Sequence, residues 1–565
     1  MDNQRLFLWG GLALILFANY QAWQHDYGAE RSAGAPTVTA TPLAPAAGAA
    51  ATLSDSVPKV GAPAAPAAPG SAPAVAPADS APAPAAAATI HVRTDVLDAE
   101  ISTQGGEIRR VALPRYPLKG APGEAMRLLD ESSLENQFLF QWGLTGGDAN
   151  EPNHKALFGA ASMSYALAAG QDELAVPLTW TNGEGLSVRR TLRFRRGSYS
   201  IGLSQVVTNG GTQPWRARDY EQLQRRWQKA DRSMWDPETY SFKGPAIWDG
   251  HKYQKLDVEK PDADLPKGPV AGGWVAALQH HFVAAIVPAA EATQEYTLAV
   301  KDREFQVRAA GAVREIAPGT STEFRATLYV GPKLQAQLAA AGSELERTAD
   351  YGRLFIIAQP LFAMLAFVHK WVGNWGWTII IVTFLIKLCF YPLAQTSGRS
   401  MARMRELAPR MKAIQERYKD DREQLGKQMM ELYKREKANP LAGCLPVLVQ
   451  MPVFIAFYWV LLESAEMRQA PFMLWVQDLS SRDPYFILPA IMCAAMFGQF
   501  KLNPAPPDPM QAKVFAFMPF AMSAMMAFLP AGLVLYWITN TGLSIAQQWR
   551  INQLVALEMK QKNRG

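Results

Sequence analysis

The sequence predicts two joined folds, an exported all-β sandwich domain and an α-helical polytopic membrane domain, with six membrane spans in total. Uncharged apolar runs, each close to the length of a spanning helix, fill much of the C-terminal third of the 565 residues. Short runs that alternate apolar with polar residues fill 89–345 and predict β-strands. The three cysteines, Cys389, Cys444 and Cys493, all lie in apolar runs, so the exported domain has no disulfides and depends on its own core.

The N-terminal region is predicted to be an anchor followed by a tether. The apolar run from Leu6 to Trp23 follows Arg5 as a signal peptide would, but no small-x-small cleavage site follows it. Residues 1–27 are therefore predicted to be an uncleaved membrane anchor. Residues 28–88 are rich in Ala and Pro, with too little large apolar surface to fold, which predicts a disordered, semi-extended tether.

Residues 89–349 are predicted to form the exported β-sandwich. Period-2 patterns such as Leu186, Val188, Leu192 and Phe194 are separated by Gly- and Asn-containing turn signals. The pair His280-His281 occurs in an apolar stretch with no other histidine or cysteine near it in sequence. A structural role for this pair is favoured over a metal site.

Residues 350–373 read as an amphipathic interfacial helix, and residues 374–552 as a core of five spans. The last uncharged run is long enough for two helices, with a break at the sequence LPAG, 529–532. The core spans lie in these runs: Trp375–Leu393, Leu441–Leu462, Tyr485–Phe500, and the two halves of Val514–Trp549.

Basic residues set the expected orientation. Residues 396–439 carry twelve basic and seven acidic side chains, and the tail, 553–565, is also basic, so both are expected in the cytoplasm, as is the N-terminus. The exported domain then lies on the opposite side.

Apolar residues at spacings of three and four predict a helical hairpin over 396–440. Methionine adapts to varied apolar partners, so a surface that binds varied partners is one interpretation and a self-packed coiled coil is the other. The methionines concerned are Met401, Met404, Met411 and Met429.

Lys387 lies within the apolar run 375–393, where a charge costs roughly 2.5 to 3.5 kcal/mol and usually faces a protein interior or a wet cavity. Snorkelling to the headgroup region is the alternative. Thr383 is one turn away on the same face, and the last span carries a polar stripe at helical spacing. Ordinary helix packing would also explain such a stripe, but the lysine favours a polar groove. We assign to this groove Lys387, Thr383, Gln450, Tyr536, Asn540 and Ser544, with Gln547 continuing the stripe.

Four segments carry a family resemblance. The strings GNWGWTIIIVTFLIKLCFYPL, NPLAGCLPVLVQMPVFIAFYWVL, RQAPFMLWVQDLSSRDPYFILP and PAGLVLYWITNTGLSIAQQ occur in this order. They closely resemble the bacterial YidC branch of the YidC/Oxa/Alb membrane-protein insertases. The resemblance covers about residue 350 to the C-terminus, and the exported half agrees by layout.

The resemblance implies a non-enzymatic insertase and folding chaperone of the bacterial inner membrane, with a periplasmic β-domain. It implies no cofactor and no metal. The implied partners are nascent membrane proteins, the ribosome, the Sec translocon and the phospholipid bilayer, without sequence-specific nucleic-acid binding. With such partners, the hairpin methionines would form a client- or ribosome-contacting surface. The family places a cation in a hydrophilic groove, and Lys387 matches that position; many relatives carry Arg there, so bidentate carboxylate binding is in doubt.

Two other functions remain as alternatives. A secondary transporter or channel also needs charge within a span, but this sequence shows no internal repeat and no carboxylate inside a predicted span. A membrane-anchored periplasmic carbohydrate-binding protein would need only one span.

Overall fold

The computed structural model consists of an N-terminal β-domain and a C-terminal helical half, which confirms the two-part fold class. Two parts of the Ala- and Pro-rich run and several loops lie outside the described residues. The structure describes residues 53–58, 87–118, 121–132, 136–146, 150–227, 239, 241–261, 263–418, 421–436, 445–502 and 509–562.

The β-domain contains two sheets, one 11-stranded and one 9-stranded. The described strand pairs are antiparallel, except that β1 (Thr89–Arg93) runs parallel to β7 (Ser164–Ala166). The larger sheet has the spatial order β14 (Val270–Ala271), β17 (Thr293–Lys301), β18 (Glu304–Gly311), β11 (Trp215–Arg226), β5 (Phe138–Thr145), β3 (Ile108–Leu118), β2 (Asp98–Ser102), β1 (Thr89–Arg93) and β7 (Ser164–Ala166), with β19 (Arg314–Ile316) on β11 and β4 (Ala121–Leu129) on β3.

The smaller sheet pairs long central strands in register, for example Ser200 with Tyr329 and Asn209 with Thr320. Its order is β13 (Tyr253–Lys255), β12 (Pro245–Trp248), β15 (Trp274–Leu278), β16 (Phe282–Pro288), β20 (Thr320–Pro332), β10 (Ser200–Asn209), β9 (Leu186–Arg195), β8 (Glu173–Thr181) and β6 (Gly159–Ala160). One continuous apolar core joins the two sheets, with Trp142 and Trp274 fully buried in it. Burying aromatic side chains of this size is a main source of stability in a domain without disulfides.

The helical half follows the β-domain. Helix α1 (Gln335–Ala341) still belongs to the β-domain, because Leu338 is buried in its core. The helices of the helical half are α2 (Phe355–Val372), α3 (Trp375–Cys389), α4 (Tyr391–Arg417), α5 (Arg422–Arg435), α6 (Leu445–Glu463), α7 (Ile487–Leu502), α8 (Pro509–Met526) and α9 (Ala531–Lys562). Helix α8 ends at Met526, before the break expected at 529–532, and α9 begins at Ala531, within it. Helix α9 continues to Lys562, so most of the basic tail is helical.

One helix is shorter than the sequence predicted. Helix α3 ends at Cys389 instead of continuing to Leu393, and the chain bends by 62° where α4 begins. Pro392, in the first turn of α4, explains the change because a continuous helix would need its missing N–H to bond with the Leu388 carbonyl, and its ring would clash with that carbonyl. Lys387 therefore lies in the last turn of α3, next to a bend.

The number of membrane spans stays a prediction. By length and composition one described helix, α2, is suited to crossing a membrane, and α3 with the start of α4 makes a second if they form one bent span. The helices α6, α7 and α8 supply shorter apolar stretches. The anchor Leu6–Trp23 lies outside the described residues, and the interfacial position expected for α2 is equally untested.

The tether differs from the expectation of disorder throughout 28–88. Leu53–Asp55 forms a short 3-10 helix that packs against the β-domain. The segment 53–58 is partly buried there, because Gln306 of the larger sheet and His154 of the loop between β5 and β6 bind its backbone carbonyls.

Candidate functional site

The site is centred on Lys387, which is half-buried where α3 packs against α9. Its Nζ donates a hydrogen bond to Ser544 Oγ at 2.8 Å. The Ser544 hydroxyl in turn donates to the Asn540 backbone carbonyl at 2.7 Å, so its lone pairs are free to accept from the ammonium. One turn of α9 thus holds the lysine in place.

A second polar pair lies across the same region. Gln450 on α6 donates from Nε2 to the Asn540 side-chain oxygen, and all four residues of the two pairs are half-buried. The structure therefore brings together four of the six residues that the sequence assigned to the groove. We call Lys387, Gln450, Asn540 and Ser544 the polar cluster.

A cavity of about 30 Å³ adjoins the polar cluster, which is room for a water molecule. Gln547 also lines it, and its Nε2 is buried with no hydrogen-bond partner among the described residues. The sequence showed this glutamine on the polar stripe but left it out of the groove set. The residues that line the cavity are Ile386, Lys387, Phe390, Leu393, Ala394, Val449, Gln450 and Gln547.

Of the other two residues, Thr383 lies apart from the polar cluster, whereas the Tyr536 side chain hydrogen-bonds with Gln450. The Thr383 hydroxyl donates to the Ile379 carbonyl at 2.6 Å in its own helix, and the side chain is 2% exposed. Tyr536 is equally buried and stacks on Phe457 with ring centroids 4.4 Å apart. The Thr383 side chain packs in the interior of the helical half, whereas the Tyr536 ring packs there with its hydroxyl directed to the polar cluster.

The charge of Lys387 has no carboxylate partner in the described part of the chain. The neutral Ser544 hydroxyl solvates the ammonium without cancelling its charge. Such a cation attracts an anionic group that enters the polar cluster, and that attraction is strong where water is scarce.

Large apolar side chains cover the outside of α3 next to the lysine. Phe384, Leu385 and Leu388 are 50%, 40% and 58% exposed, and α8 presents Phe517 at 68%. Apolar surface on this scale marks contact with lipid or a partner. Among the residues that the structure describes, no group of three His, Cys, Asp or Glu side chains is arranged to hold a metal ion.

The hairpin formed by α4 and α5 has a small core of its own. Met411 and Leu432 are buried in it, and Met429 is partly buried against them. The side chains of Met401 and Met404 lie outside the described residues. Two of the four selected methionines therefore stabilise the hairpin itself, and their contact with other proteins requires the arms to separate.

A buried ionic contact joins the β-domain to the helical half. Lys333 Nζ lies 3.8 Å from Glu463 Oε2, and both residues are 1% exposed. The Ser241 hydroxyl donates to the other carboxylate oxygen of Glu463. His280 donates from Nε2 to the Leu462 carbonyl at 2.9 Å, which is a structural role for this histidine. The sequence indicated no contact between these residues.

The loop after α6 adds further contacts with the β-domain. Glu466 accepts from the Gln335 backbone N–H at 2.9 Å, while Arg468 and Gln469 both donate to the Pro117 carbonyl. We call this set, with the Lys333–Glu463 contact, the junction. It holds the exported domain against the end of the helical half where α6 terminates.

We expect the junction to weaken as pH rises. Burial raises the pKa of Glu466 to about 7, above its ordinary value of 4.5. A raised carboxyl pKa stabilises the junction fully below about pH 4.5, and this contribution is lost progressively until the pH passes about 7. Hydrogen exchange of 463–469, corrected for intrinsic rates, should show falling protection from pH 5 to 8.

The variant Glu466→Gln keeps an acceptor for Gln335 but cannot ionise, so it should reduce this slope. The slope that remains comes from Glu463, because burial raises its pKa to about 7 as well. Glu184→Gln, at an exposed position of the β-domain, serves as the matched control and should keep the slope. Identical slopes in the wild-type chain and Glu466→Gln would contradict the assignment.

These features define a class: a helical membrane protein with an exported β-sandwich domain and a polar cluster that places a lysine among lipid-facing helices. Comparison with known proteins agrees. The family model described as "60Kd inner membrane protein" matches residues 367–560, and the one described as "YidC periplasmic domain" matches 89–364.

Relatives match nearly the whole chain. "Membrane protein insertase YidC" of Thioalkalivibrio sulfidiphilus is 47% identical over 98% of this chain and 98% of the relative. The protein of the same name in Pseudomonas fluorescens is 42% identical over 99% of each chain. A solved structure, an active YidC insertase with its first transmembrane domain resolved, is 14% identical and covers 81% of this chain and 94% of its own, with a TM-score of 0.38. This chain belongs to the YidC family of membrane protein insertases.

Proposed function

We propose that this chain inserts nascent apolar segments into the bacterial inner membrane without ATP or a cofactor. The observation that carries the proposal is the polar cluster, which offers an uncompensated cation beside helices whose outer surfaces are apolar. A hydrophilic client tail would exchange water for polar protein groups there, while its apolar segment moves directly into lipid.

Short helices support the same mechanism. Helix α7 has 16 residues and α8 has 18, and a span shorter than the hydrocarbon thickness thins the bilayer around it. A thinner bilayer beside the polar cluster lowers the barrier to moving a polar tail across.

The proposal includes the number of spans, their orientation and the partners. We infer six spans, an uncleaved anchor at 1–27, an interfacial α2, and cytoplasmic termini and hairpin. The large domain lies in the periplasm. We also infer that the chain receives clients from the ribosome and acts both alone and beside the Sec translocon.

Reconstitution tests this function directly. The purified full-length chain in liposomes should insert a single-span client synthesised in a translocon-free translation system, measured as a protease-protected fragment. Empty liposomes and liposomes holding an unrelated polytopic protein are the controls. Protection no higher than in the controls would contradict the proposal.

A further prediction concerns the hairpin. Replacing Met401, Met404, Met411 and Met429 together by leucine keeps the side chains apolar but removes part of their flexibility. We expect near-normal protein levels and a narrower range of clients, with crosslinking to some ribosome-bound nascent chains reduced about threefold or more. If crosslinking to every client tested is unchanged, these methionines have only a structural role in the hairpin.

A further inference from the structure

A segment of the tether lies bound on the β-domain. Residues 53–58, with the sequence LSDSVP, form one turn in which the Ser56 N–H donates to the Leu53 carbonyl at 3.1 Å. The segment rests on the polar outer face of β18, on the side away from the core residues Phe305 and Val307.

Gln306 and Arg308 bind the segment from alternate positions of β18. Gln306 donates from Nε2 to the Leu53 carbonyl at 2.8 Å and accepts from the Ser56 hydroxyl at 2.9 Å. Arg308 Nη2 donates to the Ser56 carbonyl at 3.1 Å and to its hydroxyl oxygen at 2.7 Å. Ser56 is therefore recognised through hydrogen bonds to both its backbone carbonyl and its side-chain hydroxyl.

His154 supplies the third contact, donating from Nε2 to the Ser54 carbonyl at 2.8 Å. A carbonyl only accepts, so Nε2 carries the proton. Burial lowers the pKa of His154 to about 4, so the ring is neutral and its Nδ1 accepts from the Tyr220 hydroxyl at 2.6 Å. The exposed pair Lys155–Asp55 adds a salt bridge of 3.5 Å.

These donors are fixed by a hydrogen-bonded network that does not include the segment. Arg308 Nε donates to Gln222 at 2.9 Å, Gln222 to Gln141 at 2.7 Å, and Gln141 to Glu107 at 2.8 Å. Gln222 and Gln141 are buried in the sheet. Donors held in place before binding lose little entropy when a ligand arrives, which is characteristic of a built site.

We propose that His154, Gln306 and Arg308 form a peptide-binding cleft whose resident ligand is the chain's own segment 53–58. The cleft recognises three backbone carbonyls and one serine hydroxyl. Docking divides the tether and leaves less than half of residues 28–88 between the anchor and the bound segment. The bound segment thereby limits how far the exported domain lies from the anchor.

Peptide competition in the full-length chain tests this proposal. A fluorescent peptide of residues 51–60 is added to a variant in which 53–58 is replaced by a Gly/Ser sequence of equal length. We expect saturable anisotropy with this variant and at least about tenfold weaker binding to the intact chain, because a tethered ligand competes at an effective concentration in the mM range. Absence of saturable binding to the replaced chain would overturn the proposal.

Substitutions in both partners identify the contacts. In the replaced chain, Gln306→Ala and Arg308→Ala should each weaken binding about fivefold or more, whereas Arg325→Ala, exposed on the smaller sheet, should not. A peptide with Ser56→Ala tests the same contact without altering the protein's fold and should bind about fivefold more weakly. Equal affinity of this peptide and the parent peptide would overturn the assignment.

Discussion

We expect Lys387→Glu to reduce insertion of clients with acidic exported tails by at least about tenfold, and Lys387→Arg to retain most of it. The ammonium has no carboxylate partner in the described part of the chain and binds Ser544 alone among the described polar groups. Two unit charges 4 Å apart interact by about 4 kcal/mol at an effective dielectric constant of 20, and about 1.4 kcal/mol already changes an equilibrium tenfold. Reversing the charge converts this attraction into repulsion.

The measurement is protease protection of several clients in reconstituted liposomes at matched protein levels. Lys370→Glu is the matched control, because it makes the same charge change at an exposed position near the end of α2. Clients with neutral tails should respond less than acidic ones. Equal insertion by the wild-type chain and Lys387→Glu for acidic clients would remove Lys387 from the mechanism.

We expect Lys333→Met to destabilise the junction by about 3 to 5 kcal/mol at pH 8, because burial raises the pKa of Glu463 only to about 7 and its carboxylate is then left buried without its cation. Hydrogen exchange of 463–469 should then accelerate by about 100-fold or more, since about 1.4 kcal/mol is a factor of ten. The double variant Lys333→Met, Glu463→Leu should recover much of the protection, because an apolar pair carries no unpaired charge.

Lys267→Met provides the control, since it removes a lysine from an exposed position of the same domain. Its exchange should match that of the wild-type chain. If Lys333→Met exchanges at the wild-type rate in 463–469, the ionic contact does not hold the two halves together.

Local sequence patterns predicted that a β-rich region is followed by a helical one. Period-2 runs depend only on neighbouring residues, so the sequence alone predicted strands with inward-facing residues such as Val188 and Leu192, which are buried in the structure. The polar stripe on α9 followed from helical spacing and correctly associated Asn540 and Ser544 with Lys387. The same stripe includes Tyr536, whose side chain hydrogen-bonds with Gln450 while its ring stacks on Phe457. Spacing along one helix does not show which neighbour covers each side chain.

Sequence by itself determined that an apolar helical half follows a disulfide-free β-domain, and that one lysine lies within an apolar helix. Only the tertiary structure decided which polar groups meet. Lys387 and Ser544 are 157 residues apart, and Ser56 and Gln306 are 250 apart. The physical reason is that hydropathy and periodicity act over one or two turns of chain, whereas such contacts depend on how whole helices and sheets pack.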